Sequence, residues 1–349
     1  MREPVPTAER LMALVDRMAG RPVAMVVDLV ADRFITGTPK RISREAPVLI
    51  LAWEGERLAP GGGANAVANV AALGGRPLPV GVVGEDDSGR GLVAALEALG
   101  VDTAAIVVRA GYRTPTKVRI LGGGRHAIRQ QIVRYDVEDR LALGAAERDD
   151  LLGGLARLAA GAPPGVAILS DYGYGAADPA LVPALRRVLP AGCRVLCDSR
   201  YRLAEAAGAD GATPNEEEAE ALLGGALGDD LATVGARGAE LRRRLGVAFL
   251  LITRGSRGMS LFEEGSAAHL PVHGTDQVAD VTGAGDTVIG AFALALAAGA
   301  TPLEAALLAD YAGGVVVMKT GTATVSPAEL RAAVASDPRP REELAWAAW

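Results

Sequence analysis

The chain of 349 residues contains only two cysteines and three histidines, and aromatic residues make up 4% of it. Cys193 and Cys197 are four positions apart, which on a strand would separate them by about 13 Å, too far to share a metal ion. A zinc site and a disulfide framework are therefore not expected, and both thiols are predicted to be small core residues. His126, His269 and His273 fit no metal-ligand or Ser-His-Asp pattern, so we expect them to be structural.

Long runs of one charge and long apolar runs are also missing. The formal net charge is −6 and no basic tail or patch is present, so nucleic acid is not an expected partner. The longest apolar stretches, 245–252 and 288–298, are too short to span a bilayer, and the N-terminus has no signal sequence. We therefore predict a cytoplasmic protein without a membrane partner.

Two familiar nucleotide-binding motifs are absent as well. The sequence has no Gly-x-x-x-x-Gly-Lys-Ser/Thr loop, and no Gly-x-Gly-x-x-Gly segment opens a strand–helix–strand unit. These motifs place glycine backbone against phosphate groups in P-loop NTPases and in nucleotide-dependent dehydrogenases. Neither class is supported here.

What the sequence does contain is a rhythm of short apolar runs and helical segments. Runs such as 23–27, 166–169 and 247–252 are typical of strands buried on both faces. Their alternation with helices predicts an α/β fold, with a mostly parallel sheet covered on both sides. Segments 33–58 and 112–137 interrupt this rhythm and are interpreted as excursions from the main sheet.

The most informative stretch is 280–287, where a Gly283-Ala284-Gly285 turn precedes Asp286 and an apolar run that predicts a helix. Free backbone N–H groups and the positive end of the helix dipole would then meet at one point. Charge developing on a transferred phosphoryl group would be stabilised there, and Asp286 could accept a proton from an attacking hydroxyl. The alternative is an ordinary glycine turn in which Asp286 only caps the helix.

Polar residues near the end of the first strand and after the glycine run are candidate ligand contacts. Asp28 and Asp32 follow strand 23–27, at the edge of the sheet where ligands collect in such folds. Asn65 and Asn69 share one helix face, and amides can bind sugar hydroxyls. The structural alternatives are surface carboxylates for the first pair and helix capping for the second.

Basic side chains in the second excursion point to an anionic substrate. Lys117 and Arg119 are two positions apart on a predicted strand and share a face, and Arg134 could join them from the partner strand across a turn at 122–124. A solvated edge strand with protective charges is the alternative.

These motifs together resemble the ribokinase-like, or PfkB, carbohydrate kinases. Segment 280–287 resembles the C-terminal signature of that family, segments 62–65 and 84–89 resemble its N-terminal signature, and 213–218 resembles its Asn-x-x-Glu motif. The resemblance covers roughly 22–330. It implies a ribokinase-like three-layer α/β fold in a single domain, with the excursions forming a small β lid and a C-terminal tail at 330–349.

The resemblance also implies roles for individual residues. Asp286 would be the catalytic base, and Gly283, Ala284 and Gly285 would form the anion hole. ATP and Mg²⁺ are the implied cofactors, with K⁺ as a further candidate. The residues implied for nucleotide and metal are Asn215, Thr253, Gly255, Gly258 and Asp310, with Glu218 for the metal. Those implied for the substrate are Asp32, Gly62, Gly63, Asn65 and Asp171, joined by Lys117, Arg119 and Arg134.

Within this family, four segments resemble the heptose 7-phosphate kinases: 41–48, 116–119, 130–136 and 319–322. Heptose 7-phosphate is therefore the expected substrate, and a homodimer formed through the lid is the expected assembly. Many such kinases are fused to a nucleotidyltransferase, which this length does not accommodate.

Three positions depart from the pattern: Val27 replaces a glycine, Tyr174 replaces a basic residue, and Asp310 replaces an asparagine. They keep three alternatives open: a kinase for an unphosphorylated sugar, a nucleoside kinase, and a non-catalytic regulator that binds sugar or nucleotide.

Overall fold

The computed structural model describes residues 6–123, 129–274, 279–337 and 345–347. The helices within these ranges are α1 (Ala8–Arg17), α2 (Gly63–Ala72), α3 (Asp87–Glu97), α4 (Ala145–Gly161), α5 (Val182–Val188), α6 (Glu216–Leu223), α7 (Leu231–Leu245), α8 (Ala284–Ala297), α9 (Pro302–Val316) and α10 (Pro327–Ser336). The strands are β1 (Pro22–Val27), β2 (Leu29–Ile42), β3 (Leu49–Gly62), β4 (Arg76–Gly84), β5 (Ile106–Arg109), β6 (Thr116–Gly122), β7 (Gln130–Val137), β8 (Val166–Asp171), β9 (Arg194–Ser199), β10 (Gly211–Ala212), β11 (Phe249–Thr253), β12 (Met259–Glu263), β13 (Ser266–Leu270) and β14 (Ala345–Ala347).

The central sheet has the strand order β14-β13-β12-β11-β10-β9-β8-β1-β4-β5. The strands from β11 to β5 run parallel, and β12 to β14 extend one edge in antiparallel fashion. Parallel neighbours require crossover connections, and helices supply them here. The mostly parallel sheet predicted from the apolar runs is therefore confirmed.

Helices cover both faces of this sheet, because alternate residues of each buried strand face opposite sides. Val23, Met25 and Val27 pack with α1, α2, α8 and α9 in one core, whereas Ala24 and Val26 pack with α4, α5 and α7 in the other. The result is the three-layer arrangement expected for the ribokinase-like fold.

A second sheet of four strands, in the order β3-β2-β6-β7, is built from two insertions into the main fold. The β2–β3 hairpin is inserted between β1 and α2, and β6–β7 is inserted between β5 and α4. We call this sheet the lid. Its first hairpin extends beyond the predicted excursion 33–58, because Gly61 and Gly62 of the glycine run belong to β3, where they pair with Val30 and Leu29.

The C-terminal part of the described chain contains a helix and a short strand. Helix α10 begins before residue 330 and contacts α1 and α9, and β14 pairs with β13. Gly124 of the predicted turn, His126, and tail residues 338–344 and 348–349 lie outside the described residues. Among the helices that are described, none combines the length and apolarity needed to span a membrane.

Candidate active site

Asp286 lies in the first turn of α8, directly after the glycine turn, and is 4% exposed. Gly283 precedes the helix with φ +77°, and a Cβ at this position would be 2.4 Å from Asn65 Nδ2. Only glycine meets both conditions, since a side chain would strain the backbone and collide with Asn65. The first backbone N–H groups of α8 and the Asp286 carboxyl group are thereby brought to one place.

Both oxygens of the Asp286 carboxyl group are hydrogen-bonded. The Tyr172 hydroxyl donates to Oδ1 at 2.5 Å, and Asn65 Nδ2 lies 3.2 Å from Oδ2 and 3.1 Å from the Gly283 carbonyl oxygen. Burial raises the pKa of Asp286 to about 7, although the two hydrogen bonds and the charge of Lys117 act to lower it. Asp286 is therefore poised to exchange a proton near neutral pH.

Asn65, which is predicted to contact a sugar, has protein partners in this structure. Its amide is directed to the glycine turn and to Asp286, while Asn69 Nδ2 donates to Asn65 Oδ1 at 3.1 Å. The predicted shared helix face of the two asparagines exists, but it forms a chain of amides that orients Asp286.

Tyr172 was not among the predicted site residues. It follows β8 in the loop that Asp28 organises: Asp28 Oδ2 accepts from the backbone N–H groups of Tyr172 and Tyr174, both at 2.9 Å, and Oδ1 accepts from those of Ala176 and Ala177. Asp28 is 1% exposed and each of its carboxyl oxygens accepts from two backbone N–H groups, so it holds this loop, while the expected ligand contact stays a prediction. A tyrosine directly after a buried strand and before a glycine was the available signal.

Asp171 and Tyr174 lie in the same loop but face away from Asp286. Asp171 accepts from the Ser199 hydroxyl at 2.6 Å and from the Gly173 backbone N–H at 2.7 Å. The Tyr174 hydroxyl donates to Glu138 Oε1 at 3.3 Å. Asp171, predicted to contact the substrate, thus anchors the loop to β9 and does not line the cavity at Asp286.

A cavity of about 130 Å³ opens beside Asp286 and is lined by Asp32, Gly62, Lys117, Tyr172, Gly285 and Thr322, among others. Asp32 and Arg119 form a buried ion pair at 2.5 Å. The Lys117 ammonium lies 5.1 Å from the Tyr172 ring centroid, and burial lowers the pKa of Lys117. Thr322 Oγ1 is buried and has no hydrogen-bond partner among the described residues, which leaves it available to a polar ligand.

The glycines at the end of β3 provide space for these groups. A Cβ on Gly61 would be 2.7 Å from the Asp32 carboxyl carbon, and one on Gly63 would be 2.7 Å from Val27 Cβ. Gly62, with φ +51°, lines the cavity, whereas Gly63 does not. Val27, where the family pattern has glycine, is therefore accommodated by the absence of a side chain at Gly63.

The lid forms the other wall of the site and carries most of its positive charge. Strand register aligns Arg57, Phe34, Arg119 and Arg134 in one row across β3, β2, β6 and β7. Arg134 pairs with Asp136 at 2.6 Å. A second cavity of about 980 Å³ lies between this row and residues 279–282 and 320–321, and it shares Arg119 and Thr282 with the smaller cavity.

Asn215 and Glu218 form a capping box at the start of α6. Asn215 Oδ1 accepts from the Glu218 backbone N–H at 2.9 Å, and Glu218 Oε2 accepts from that of Asn215 at 3.0 Å. Asp198 at the end of β9 is close enough that Glu218 and Asp286, together with burial, hold its pKa well above the usual range. Burial also raises the pKa of Glu218. These carboxyl groups concentrate negative charge on the side of the site opposite the lid.

The predicted nucleotide residues Thr253, Gly255 and Gly258 lie at and after the end of β11, and Thr253 bridges to Asn215. Gly258 has φ +78°, and a Cβ there would be 2.0 Å from the Leu270 carbonyl oxygen. Asp310 is buried in α9 and lines neither described cavity.

Two arginines that were not predicted join the loops of this region. Glu216 pairs with Arg254 at 3.1 Å and also with Arg257. Arg254 is buried, so it fixes the loop after β11 against the start of α6.

Comparison with known proteins agrees with this architecture. The bifunctional protein HldE of Mesorhizobium japonicum is 41% identical over 336 residues, covering 94% of this chain and 65% of that protein. HldE of Halorhodospira halophila is 44% identical over 338 residues, covering 92% and 65%. The chain thus spans slightly less than two thirds of these relatives. Arabidopsis thaliana ribokinase, solved with ribose and ATP, superposes with a TM-score of 0.69 at 21% identity, covering 90% of this chain and 99% of that one.

The sequence profile described as the pfkB family carbohydrate kinase matches residues 24–329. This match contains the lid strands, the Asp28 loop and the α8 turn with Asp286. The chain belongs to the pfkB family of carbohydrate kinases.

Proposed function

We propose that the chain is an ATP- and Mg²⁺-dependent sugar kinase in which Asp286 is the catalytic base. The observation that carries this proposal is the buried Asp286 carboxyl group, whose pKa is about 7, at the N-terminal turn of α8 and beside a small polar cavity. A base is most effective when its pKa lies near the working pH.

In the proposed reaction, the sugar and the transferred phosphoryl group meet at the turn that begins α8. A sugar hydroxyl in the smaller cavity loses its proton to Asp286 as its oxygen attacks the γ-phosphorus of ATP, and ADP leaves with the electrons of the broken bond. Backbone N–H groups at Gly283–Gly285 stabilise the charge on the transferred phosphoryl group. Lys117, which is buried near both Asp32 and Asp286, supplies a further positive charge.

The proposed Mg²⁺ accompanies ATP at the carboxylates of Asp198 and Glu218. Burial raises the pKa of both side chains, and the charges of Glu218 and Asp286 raise that of Asp198 further, so a divalent cation beside them would favour their charged forms. Among the described residues no cluster of three or more metal-binding side chains is present. This donor set fits Mg²⁺, which commonly uses one or two carboxylates with phosphate oxygens and water.

The proposed substrate is heptose 7-phosphate. Lys117, Arg119 and Arg134 on the inner face of the lid support an anionic sugar, as does the similarity of the lid segments to heptose 7-phosphate kinases. Asp32 and the unpartnered Thr322 hydroxyl are available to sugar hydroxyls. The structurally similar plant ribokinase was solved with ribose and ATP, which supports a sugar as the acceptor.

The test is sugar-dependent ADP formation from Mg-ATP with heptose 7-phosphate, unphosphorylated heptose, ribose, fructose and nucleosides. We expect turnover with heptose 7-phosphate and a loss of about 10²–10⁴-fold in Asp286→Asn. Turnover only with an unphosphorylated sugar or a nucleoside would change the substrate assignment. Near-wild-type turnover in Asp286→Asn would disprove the role of the base, and sugar-independent ATP binding without turnover would favour a regulator. Replacing K⁺ by Na⁺ in the same assay tests a monovalent cation cofactor.

We also propose a cytoplasmic homodimer that associates through the lid. Exposed apolar side chains on and between the lid strands support this surface, among them Ile42, Val48, Trp53, Val133 and Tyr135. The use of ATP and the two free cysteines favour the cytoplasm. Sedimentation analysis should show a dimer that Trp53→Glu weakens, and a monomer in the wild type would exclude it.

A further inference from the structure

We propose that Arg57, held against Phe34, binds the distal phosphate of a phosphorylated sugar whose acceptor hydroxyl lies at Asp286. This inference rests on the proposed kinase function and names a specificity residue for it. Arg57 belongs to no motif that the sequence analysis used. Its importance follows from the register of the lid strands and from the charges around it.

The Phe34 ring lies between two guanidinium groups. The guanidinium carbon of Arg57 is 4.7 Å from the ring centroid and that of Arg119 is 5.3 Å from it. Cation–π contacts of this kind hold a guanidinium group in place without using its N–H donors. Two positive groups on one ring also repel each other unless an anion lies close to them.

Among the described residues, three other arginines of the lid each have a carboxylate partner, unlike Arg57. Arg119 is neutralised by Asp32, Arg129 by Glu54 and Arg134 by Asp136. In the part of the chain that the structure describes, neither an ion pair nor a hydrogen bond engages the Arg57 guanidinium group. Its donors face a cavity of about 980 Å³, and a planar guanidinium group matches two phosphate oxygens.

The position of Arg57 suits the far end of a sugar. Arg119 and Thr282 line both cavities, so the cavities adjoin, and we place the acceptor end of the ligand in the smaller one and its phosphate in the larger one. Lys117 and Arg119 belong to neighbouring rows of the lid, and two residues of a strand span about 7 Å. This is close to the length of a sugar from a ring hydroxyl to a terminal phosphate.

Gly321 on the core side makes room for this arrangement. It has φ +71°, and a Cβ there would be 2.9 Å from Arg57 Nη2 and 3.2 Å from Phe34 Cζ. The lid thus lies close to the core at the point where Arg57 meets the cavity. An anion bound there would lie between the lid and the 320–322 loop.

Tyr174, at the position where the family pattern has a basic residue, need not prevent phosphate binding. Tyr174 donates to Glu138 and lines neither cavity, so the missing basic residue removes no charge from the cavity wall. Arg57 on β3 supplies positive charge to that wall instead.

The test compares wild type with Arg57→Met, which removes the charge but keeps a chain that can pack on Phe34. Arg41→Met is the matched control, since Arg41 is an exposed lid arginine that lines neither cavity. Calorimetric titration with heptose 7-phosphate in the absence of nucleotide measures binding independently of turnover. We expect Arg57→Met to weaken binding by about 10- to 100-fold and Arg41→Met to leave it unchanged.

A second readout is the ratio of kcat/KM for heptose 7-phosphate to kcat/KM for unphosphorylated heptose, which should fall by the same factor in Arg57→Met. Equal losses for both sugars would mean that Arg57 only supports the lid, and would overturn the inference. So would wild-type affinity in Arg57→Met, or a wild type that binds both sugars equally. If neither sugar is turned over, the kinase proposal fails while the calorimetry still decides whether Arg57 binds phosphate.

Discussion

The Tyr172 hydroxyl donates a hydrogen bond to Asp286 Oδ1 at 2.5 Å, while the Lys117 ammonium of the lid lies 5.1 Å from the centre of the same tyrosine ring. Tyr172 therefore touches the candidate base on one side and the lid on the other. Burial keeps the pKa of Tyr172 well above its usual range, so the phenol remains a hydrogen-bond donor at neutral pH.

Removing this donor should move the pH dependence of catalysis. The hydrogen bond favours the charged form of Asp286, so Tyr172→Phe should raise the pKa of Asp286 above about 7. The base must be deprotonated to act. As the pH is lowered, kcat/KM of the variant should therefore begin to fall at a higher pH than kcat/KM of the wild type. Tyr174→Phe is the control, because its hydroxyl contacts Glu138. An unchanged acidic limb in the Tyr172 variant would refute the coupling.

Asp286→Asn should make the fold more stable at alkaline pH. The pKa of Asp286 is about 7 in the folded protein and near 3.9 when unfolded, so the stability lost on ionisation grows as pH rises from about 4 to 7. A shift of this size corresponds to about 4 kcal/mol. Urea unfolding at pH 5 and pH 8 should show that the free energy of unfolding of the variant, relative to that of the wild type, is larger at pH 8. A difference that is constant with pH would argue against the raised pKa.

The Asp32–Arg119 pair should show strong energetic coupling. Asp32 is 2% and Arg119 7% exposed, so Asp32→Ala leaves a cation with little access to water. We expect a loss of about 3 kcal/mol in the free energy of unfolding, of which the double variant Asp32→Ala/Arg119→Met recovers a part. Additive losses in a double-mutant cycle would show that the two groups act independently.

Asp28→Asn should disturb the site from a distance. In this variant an NH₂ group replaces one carboxyl oxygen of Asp28, which in the wild type accepts from two backbone N–H groups. Those buried donors lose their acceptor, and the free energy of unfolding should fall by about 3 kcal/mol. Because this loop carries Tyr172, kcat should fall together with stability. Asp178→Asn is a suitable control, since Asp178 caps the short turn that follows the loop. Normal kcat in Asp28→Asn would show that the loop holds Tyr172 without Asp28.

Local sequence was sufficient for the three-layer fold and for the α8 turn. Short apolar runs have few structural interpretations, and the glycines before Asp286 are needed for a positive φ at Gly283 and for close contact with Asn65. The lid strands were predicted less completely. Residues 130–136 of β7 and 39–42 of β2 are exposed, so burial leaves a weaker pattern there, and the pairing of β2 with β6 joins distant parts of the chain.

The partners of Asp286 could not be read from spacing. Asn65 and Tyr172 are 221 and 114 positions away from it, and their roles depend on how two loops fold. Asp171 and Tyr172 are adjacent, yet only the tyrosine faces the base, because the Asp171 carboxyl group is taken by Ser199 and Gly173. Tertiary contacts therefore determine which of two adjacent side chains faces the site.

The parallel pairing of β2 with β6 has a consequence for the order in which the protein folds. Between these strands the chain passes through β3, α2, β4, α3 and β5, so the middle of the lid cannot form until that stretch has been arranged. Contacts between distant segments form slowly because the loop between them must close first. We expect the β2–β3 hairpin to leave the ribosome early with one edge open, and the lid to be the last part of the chain to resist a protease during refolding.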